Sequence, residues 1–176
     1  INQKLSSMYS IETSDNMRNW TSVTLWEATD AFVKAHPRAL GRVRSVQFSM
    51  INLQAGESLP KEVRNLKYLE SFAVTSNANN QIREVELGED ICELPYLKSL
   101  TVQAYGLTHL PSNFKKLGNT LETLNLVSNN FNKLSDITDV VNEENFPRLR
   151  NLIIYAQRRN DVCIDLRGLD RNSDRN

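Results

Sequence analysis

Six times along this chain an apolar residue is followed, three and five positions later, by two more. The triplets are Trp20, Val23, Leu25; Val43, Val46, Phe48; Leu69, Phe72, Val74; Leu97, Leu100, Val102; Leu121, Leu124, Leu126; and Leu149, Leu152, Ile154. Their first members are separated by 23, 26, 28, 24 and 28 residues. A fixed pattern at this period implies one short strand per unit, with successive units stacked into a solenoid. A single unit cannot bury its own apolar side, so stacking is what gives the chain a continuous core.

Length and charge narrow the options. The chain has 176 residues, enough for one domain. Lys plus Arg number 21 and Asp plus Glu number 21, so the formal net charge is zero. A neutral chain has no overall field to attract nucleic acid or an anionic membrane, and no nucleic-acid partner is expected. No apolar run approaches the ~20 residues that span a bilayer, so no membrane insertion is expected. No secretory signal is visible, and the chain opens at Ile1, which reads as a mature form or a piece of a longer chain. Cys92 and Cys163 lie in different units, outside any C-x-x-C spacing, and read as two buried thiols. The glycosylation acceptor Asn19-Trp20-Thr21 has its middle residue at a core position and carries little weight.

Residues 1–16 are polar and without period, and read as a tail or linker. The repeat domain spans 17–170, and 171–176 form a polar C-terminal tail. Near its end, Val162, Ile164 and Leu166 alternate as a last short strand would, covering the open end of the core. The segment 27–36, EATDAFVKAH, reads as a helix with Ala28, Phe32 and Ala35 on one face, ended by Pro37. LPKEVRNL, DICELPYL and LPSNFKKL carry apolar residues three or four apart, as single helical turns do. Two inserts, 78–81 and 135–145, map to loops on one face.

The segment 121–134, LETLNLVSNNFNKL, resembles the leucine-rich-repeat consensus. Leu121, Leu124 and Leu126 sit at the strand positions and Asn129 at the asparagine position, followed by Phe131 and Leu134. The segment 97–117 is similar, including the Leu110-Pro111 step, with Tyr105 where asparagine is expected. The resemblance covers roughly 17–166. It implies an α/β fold: a right-handed leucine-rich-repeat solenoid of about six repeats, with a parallel concave sheet and an irregular convex side of short helical turns. In that family the asparagine ties neighbouring turns together. Here only Asn77 and Asn129 hold the position, and Ile51, Tyr105 and Gln157 replace it.

Parallel stacking lets the strand surface be read in columns about 4.8 Å apart. The residue after the first apolar position gives Thr21, Arg44, Glu70, Lys98, Glu122 and Arg150, alternating in sign from Arg44 onward. This reads as a register and solubility device, with a charged binding stripe as the less favoured alternative. The next column, Ser22, Ser45, Ser71, Ser99, Thr123 and Asn151, is small and polar. The middle of the concave face is Thr24, Gln47, Ala73, Thr101, Asn125 and Ile153, beside Trp26, Ser49, Thr75, Gln103, Val127 and Tyr155. From these columns Trp26, Gln47, Ser49, Thr75, Thr101, Gln103, Asn125, Val127, Ile153 and Tyr155 are the candidate binding residues, with Trp26 equally well placed for packing.

No reactive constellation accompanies them. His36 and His109 are far apart, with no partner pattern for nucleophilic catalysis, and no phosphate loop or zinc spacing occurs. No catalytic residue, cofactor or metal is expected. The sequence therefore reads as a non-enzymatic module that recognises a protein ligand on its concave face, without an obligate oligomer. A structural spacer within a longer surface-exposed protein is the alternative, and glycan binding through Trp26 and Tyr155 a weaker one. The irregular repeat lengths and lack of disulfides resemble exported bacterial surface proteins, which favours an exported or cell-surface location.

Overall fold

A computed structural model describes residues 22–49, 53, 55–76 and 84–157. The tail 1–16, Trp20, the acceptor at Asn19, Ile51, Asn77, the insert 78–81, Cys163 and the expected strand at Val162–Leu166 lie outside these residues.

Six strands form one sheet whose spatial order follows the chain: β1 (Val23–Leu25), β2 (Val43–Ser49), β3 (Ser71–Thr75), β4 (Ser99–Gln103), β5 (Thr123–Asn125) and β6 (Asn151–Ile153). From β2 to β6 all pairs are parallel. The register is the one the apolar pattern predicts. Ser45, Ser71, Ser99, Thr123 and Asn151 stand opposite one another, as do Gln47, Ala73, Thr101, Asn125 and Ile153. A slip of one residue would turn every core side chain to the other face, so the apolar triplets pin this register.

The expectation of a fully parallel sheet fails at β1, which runs antiparallel to β2 with a bulge between Thr24 and Leu25. The cause lies in the connection. Trp26 N donates to Arg42 O at 2.8 Å and Gly41 N to Trp26 O at 2.9 Å, closing residues 26–42 as a loop whose two ends meet. The chain therefore re-enters the sheet at the end it left, as a hairpin does. Thr24 consequently faces Ser45 rather than heading the Gln47 column.

Behind the sheet each crossover carries one short turn. Three are 3-10 turns, Lys61–Asn65, Asp90–Glu93 and Phe114–Leu117, and the fourth is α2 (Ser135–Thr138). Their apolar residues Val63, Ile91, Phe114, Leu117 and Ile137 are buried against the strand side chains Val46, Phe72, Leu100 and Leu124. Full burial of each such side chain is worth about 1.5–3 kcal/mol. The 135–145 insert is no projecting loop: Ile137 and Val141 are buried, and the Asn142 and Asn145 amides bond its backbone carbonyls. Ion pairs link consecutive turns, Arg64 to Asp90 at 3.4 Å and Lys116 to Glu93 at 2.7 Å. Cys92 is buried as expected, and burial pushes its thiol up to about 12.

The expected helix over 27–36 shortens to α1 (Ala31–Ala35). Ala28 and Ala35 are exposed, and the buried face is instead Val33, packed with Trp26 and Ala39. Asp30 explains the shortening, because its carboxylate accepts from Glu27 N at 2.7 Å and holds 27–30 as a turn.

Asn129 ties two units together. Its Oδ1 accepts from Tyr105 N at 3.1 Å and Leu107 N at 3.2 Å. Its Nδ2 donates to Val102 O at 2.8 Å and Leu126 O at 2.9 Å. One unit on, Gln157 does the same work with a longer arm, donating to Leu126 O at 2.7 Å and Ile154 O at 2.9 Å and accepting from Phe131 N at 3.2 Å. Just before each of positions 105, 129 and 157 the chain takes a positive φ, at Ala104 (66°), Ser128 (59°) and Ala156 (57°). The left-handed conformation turns the chain and, at Asn129 and Gln157, accompanies a side chain bonded to carbonyls of its own unit, at a cost of about 1–2 kcal/mol for a non-glycine residue.

Two substitutions test this frame by urea denaturation. Asn129→Ala strands buried donors and acceptors and should cost about 3 kcal/mol or more. Gly118 has an ordinary helical φ, but a Cβ there would fall onto the Asn145 carbonyl. Gly118→Ala should therefore cost about 1–3 kcal/mol by forcing two backbone segments apart.

Candidate functional site

The exposed face of the sheet is built by alternation. Along β2, Val46 and Phe48 point to the core while Gln47 and Ser49 are exposed. The same rule leaves Ala73 and Thr75 on β3, and Thr101 and Gln103 on β4, partly exposed. Asn125 and Ile153 continue the first row on β5 and β6, half-buried, and Tyr155 stands beyond β6 with 64 % of its surface exposed. Eight of the ten candidate residues thus share one polar, uncharged surface: Gln47, Ser49, Thr75, Thr101, Gln103, Asn125, Ile153 and Tyr155.

Two do not. Val127 is only 4 % exposed, because β5 ends at Asn125, two residues short of where β3 and β4 stop. The Asn125 side chain folds forward to accept from Val127 N at 3.0 Å, and alternation stops there. Trp26 is 2 % exposed. Its Nε1 donates to Tyr68 O at 2.8 Å and its ring stacks on Phe32 at 4.3 Å between centroids. Packing takes Trp26 away from the surface, and with it the aromatic at one end of the glycan-stacking alternative.

Trp26 begins an aromatic chain that the columns did not show. Phe32 stacks on His36 at 4.2 Å, and both meet Tyr96 edge-on at 5.1 and 5.0 Å. Tyr96 in turn stacks on Tyr68 at 5.9 Å. Tyr68 and Tyr96 each immediately precede the first core leucine of a unit, Leu69 and Leu97, so they form a flanking column of their own. That column was available from the sequence; what was not was α1 folding across it. His36 is half-buried in this stack.

The opposite flank holds two shallow adjoining clefts of about 370 and 410 Å³, which share Glu86 and His109. Glu84 lines one and Glu89 the other. His109 Nδ1 lies 3.1 Å from the Thr108 hydroxyl. Glu89 is committed to structure: one carboxylate oxygen accepts from Ser112 N at 2.8 Å and the Ser112 hydroxyl at 2.7 Å, the other from Asn113 N at 3.1 Å. The Ser112 hydroxyl foremost, and then the two backbone N–H groups, hold its carboxyl below the usual carboxylate range against the opposing effect of desolvation. Among the described residues no group of three or more His, Cys, Asp and Glu is placed to hold a metal, and no helix is long and apolar enough to cross a membrane.

No family model matches this chain, and no curated protein matches it significantly. The six-stranded, mostly parallel α/β sheet with its short turns is therefore the class to which the geometry assigns it.

The lowered Glu89 pKa fixes a sign. A carboxyl depressed on folding stabilises the native state above its unfolded pKa, and that contribution is lost as pH falls through the lower folded value. Between pH 6 and pH 3 the wild-type protein should lose more stability than Glu89→Gln. Parallel pH dependences of the two midpoints in urea would contradict this.

Proposed function

We propose that this chain is a non-enzymatic recognition module, a right-handed leucine-rich-repeat solenoid that binds a protein ligand on its concave sheet face. The solenoid reading is supported by six apolar triplets, in-register parallel pairing from β2 to β6, one short turn per crossover, and the Asn129 bonds that join two units. The observation that carries the binding reading is the uncharged polar surface from Gln47 to Tyr155. Five consecutive strands hold it at fixed spacing, so its groups are presented with little freedom left to lose on association. Its polarity suits an interface between proteins that are each stable alone. Tyr155 is the type of residue that anchors such contacts, being large, stiff and amphipathic. Ile153, two residues earlier on the same face, widens the apolar spot.

The reading predicts a division between surface and frame. The double variant Gln103→Ala, Tyr155→Ala should fold normally, since neither side chain is in the core. Binding to a native protein partner captured on the immobilised wild-type chain should weaken at least tenfold, about 1.4 kcal/mol or more. The check is surface plasmon resonance with the purified partner, and unchanged affinity would overturn the assignment of this face.

A further inference from the structure

The N-terminal rim of the sheet carries an alternating row of charge: Arg44, Glu70, Lys98, Glu122 and Arg150. Their backbones are joined rung to rung. Glu70 N donates to Arg44 O, Lys98 N to Glu70 O, Glu122 N to Lys98 O and Arg150 N to Glu122 O, each at 2.8 Å. The first two rungs are already used. The Arg44 guanidinium lies 4.5 Å from the Trp26 ring centroid and donates to Asp30 at 3.2 Å and Glu70 at 3.4 Å. Asp30 immediately precedes α1, whose Phe32 packs on Tyr96 with its neighbour His36. A short helical segment of the chain itself is thus docked on this rim, by setting a carboxylate on a rung cation and aromatic rings on the flanking column.

That segment covers only part of the row. Lys98, Glu122 and Arg150 make no ion pair among the described residues. Lys98 and Arg150 are exposed and Glu122 is half-buried. Three charges, plus, minus, plus, are thus held at the spacing of the strands without an ion pair among the described residues.

We propose that this open half of the rim receives a helical segment of a partner protein carrying minus, plus, minus along one face. Spacing favours a helix. Adjacent rungs are about 4.8 Å apart and alternate rungs about 9.6 Å. Helical residues three or four apart are separated by about 4.5–6 Å along the axis, and residues seven apart by about 10.5 Å. Same-side residues of an extended strand recur at about 6.8 Å and fall out of step after one rung. The bond between Asp30 and Arg44 shows the contact the partner's carboxylates would make at Lys98 and Arg150, and its cation would meet Glu122. This inference rests on the recognition reading and adds to it the orientation and charge pattern of the partner.

Three synthetic helical peptides on a common alanine-rich frame test it by fluorescence anisotropy. One carries Glu, Lys, Glu at i, i+3 and i+7, the second Lys, Glu, Lys, and the third Glu, Glu, Lys, which keeps the composition of the first but breaks its order. The first should bind at least about tenfold more tightly than either other at low salt, with the gap closing in high salt. The triple swap Lys98→Glu, Glu122→Lys, Arg150→Glu should prefer the second peptide. If that variant folds poorly, Glu122→Lys alone should abolish the preference for the first peptide over the third, which differ only in the order of their charges. Equal binding of all three peptides, binding of none, or an unchanged preference in the swapped rim overturns the proposal. If no peptide is discriminated while the Gln103 and Tyr155 substitutions still weaken partner binding, the rim assignment fails and the concave-face reading stands.

Discussion

Everything in this molecule hangs on the parallel backbone pairing that sets each unit directly above the last. Unit spacing fixes where apolar side chains meet, and so where the core runs. It also turns ordinary alternation along a strand into rows across the sheet, which makes a surface out of residues more than twenty positions apart. Pairing alone would leave the turns beyond each strand open. Among the described residues Asn129 and Gln157 close two of them, each spending one side-chain amide on carbonyls of two successive units and on backbone N–H groups of the unit before, two for Asn129 and one for Gln157. The left-handed residues before them are the strain this arrangement tolerates, and the paired backbone on either side is what over-determines it.

The two long sides of the sheet are fastened differently. On one, Tyr68 and Tyr96 stack and α1 lies across them. On the other, Glu89 reaches forward to the start of the next turn at Ser112 and Asn113. Both join one unit to the next without crossing the exposed face. The face between them is free of large structural side chains, so its residues carry few obligations beyond their own strands; Asn125 is an exception, because its carbonyl is taken by Val127.

Much of this was legible in the sequence, and the reasons for the misses are specific. The columns from β2 to β6 were readable because an apolar triplet of fixed spacing allows one register. The direction of β1 was not, since Val23 and Leu25 alternate identically whichever way the strand runs. Val127 was misplaced because alternation carries no mark of where a strand stops. Trp26 was undecided because its partners, Phe32 and Tyr68, lie 6 and 42 residues away and meet it only in space. Gln157 was counted as a departure from asparagine, yet one extra methylene still lets the amide reach two carbonyls. In the candidate site, exposure along continuous strands was predictable, and exposure near strand ends was not.

The reversed β1 gives the stack a direction of growth. A parallel unit needs a neighbour running the same way to supply evenly slanted hydrogen bonds. Within β2 to β6 both sides of every inner strand offer that neighbour, so a unit could be duplicated or deleted there and the remaining strands would re-pair in phase. Beside β1 the polarity is inverted, and a copy of the same unit would meet the wrong hydrogen-bond pattern. Variation in length by whole units is therefore confined to the parallel part, and the β1–β2 hairpin is the fixed reference from which any such change must be counted.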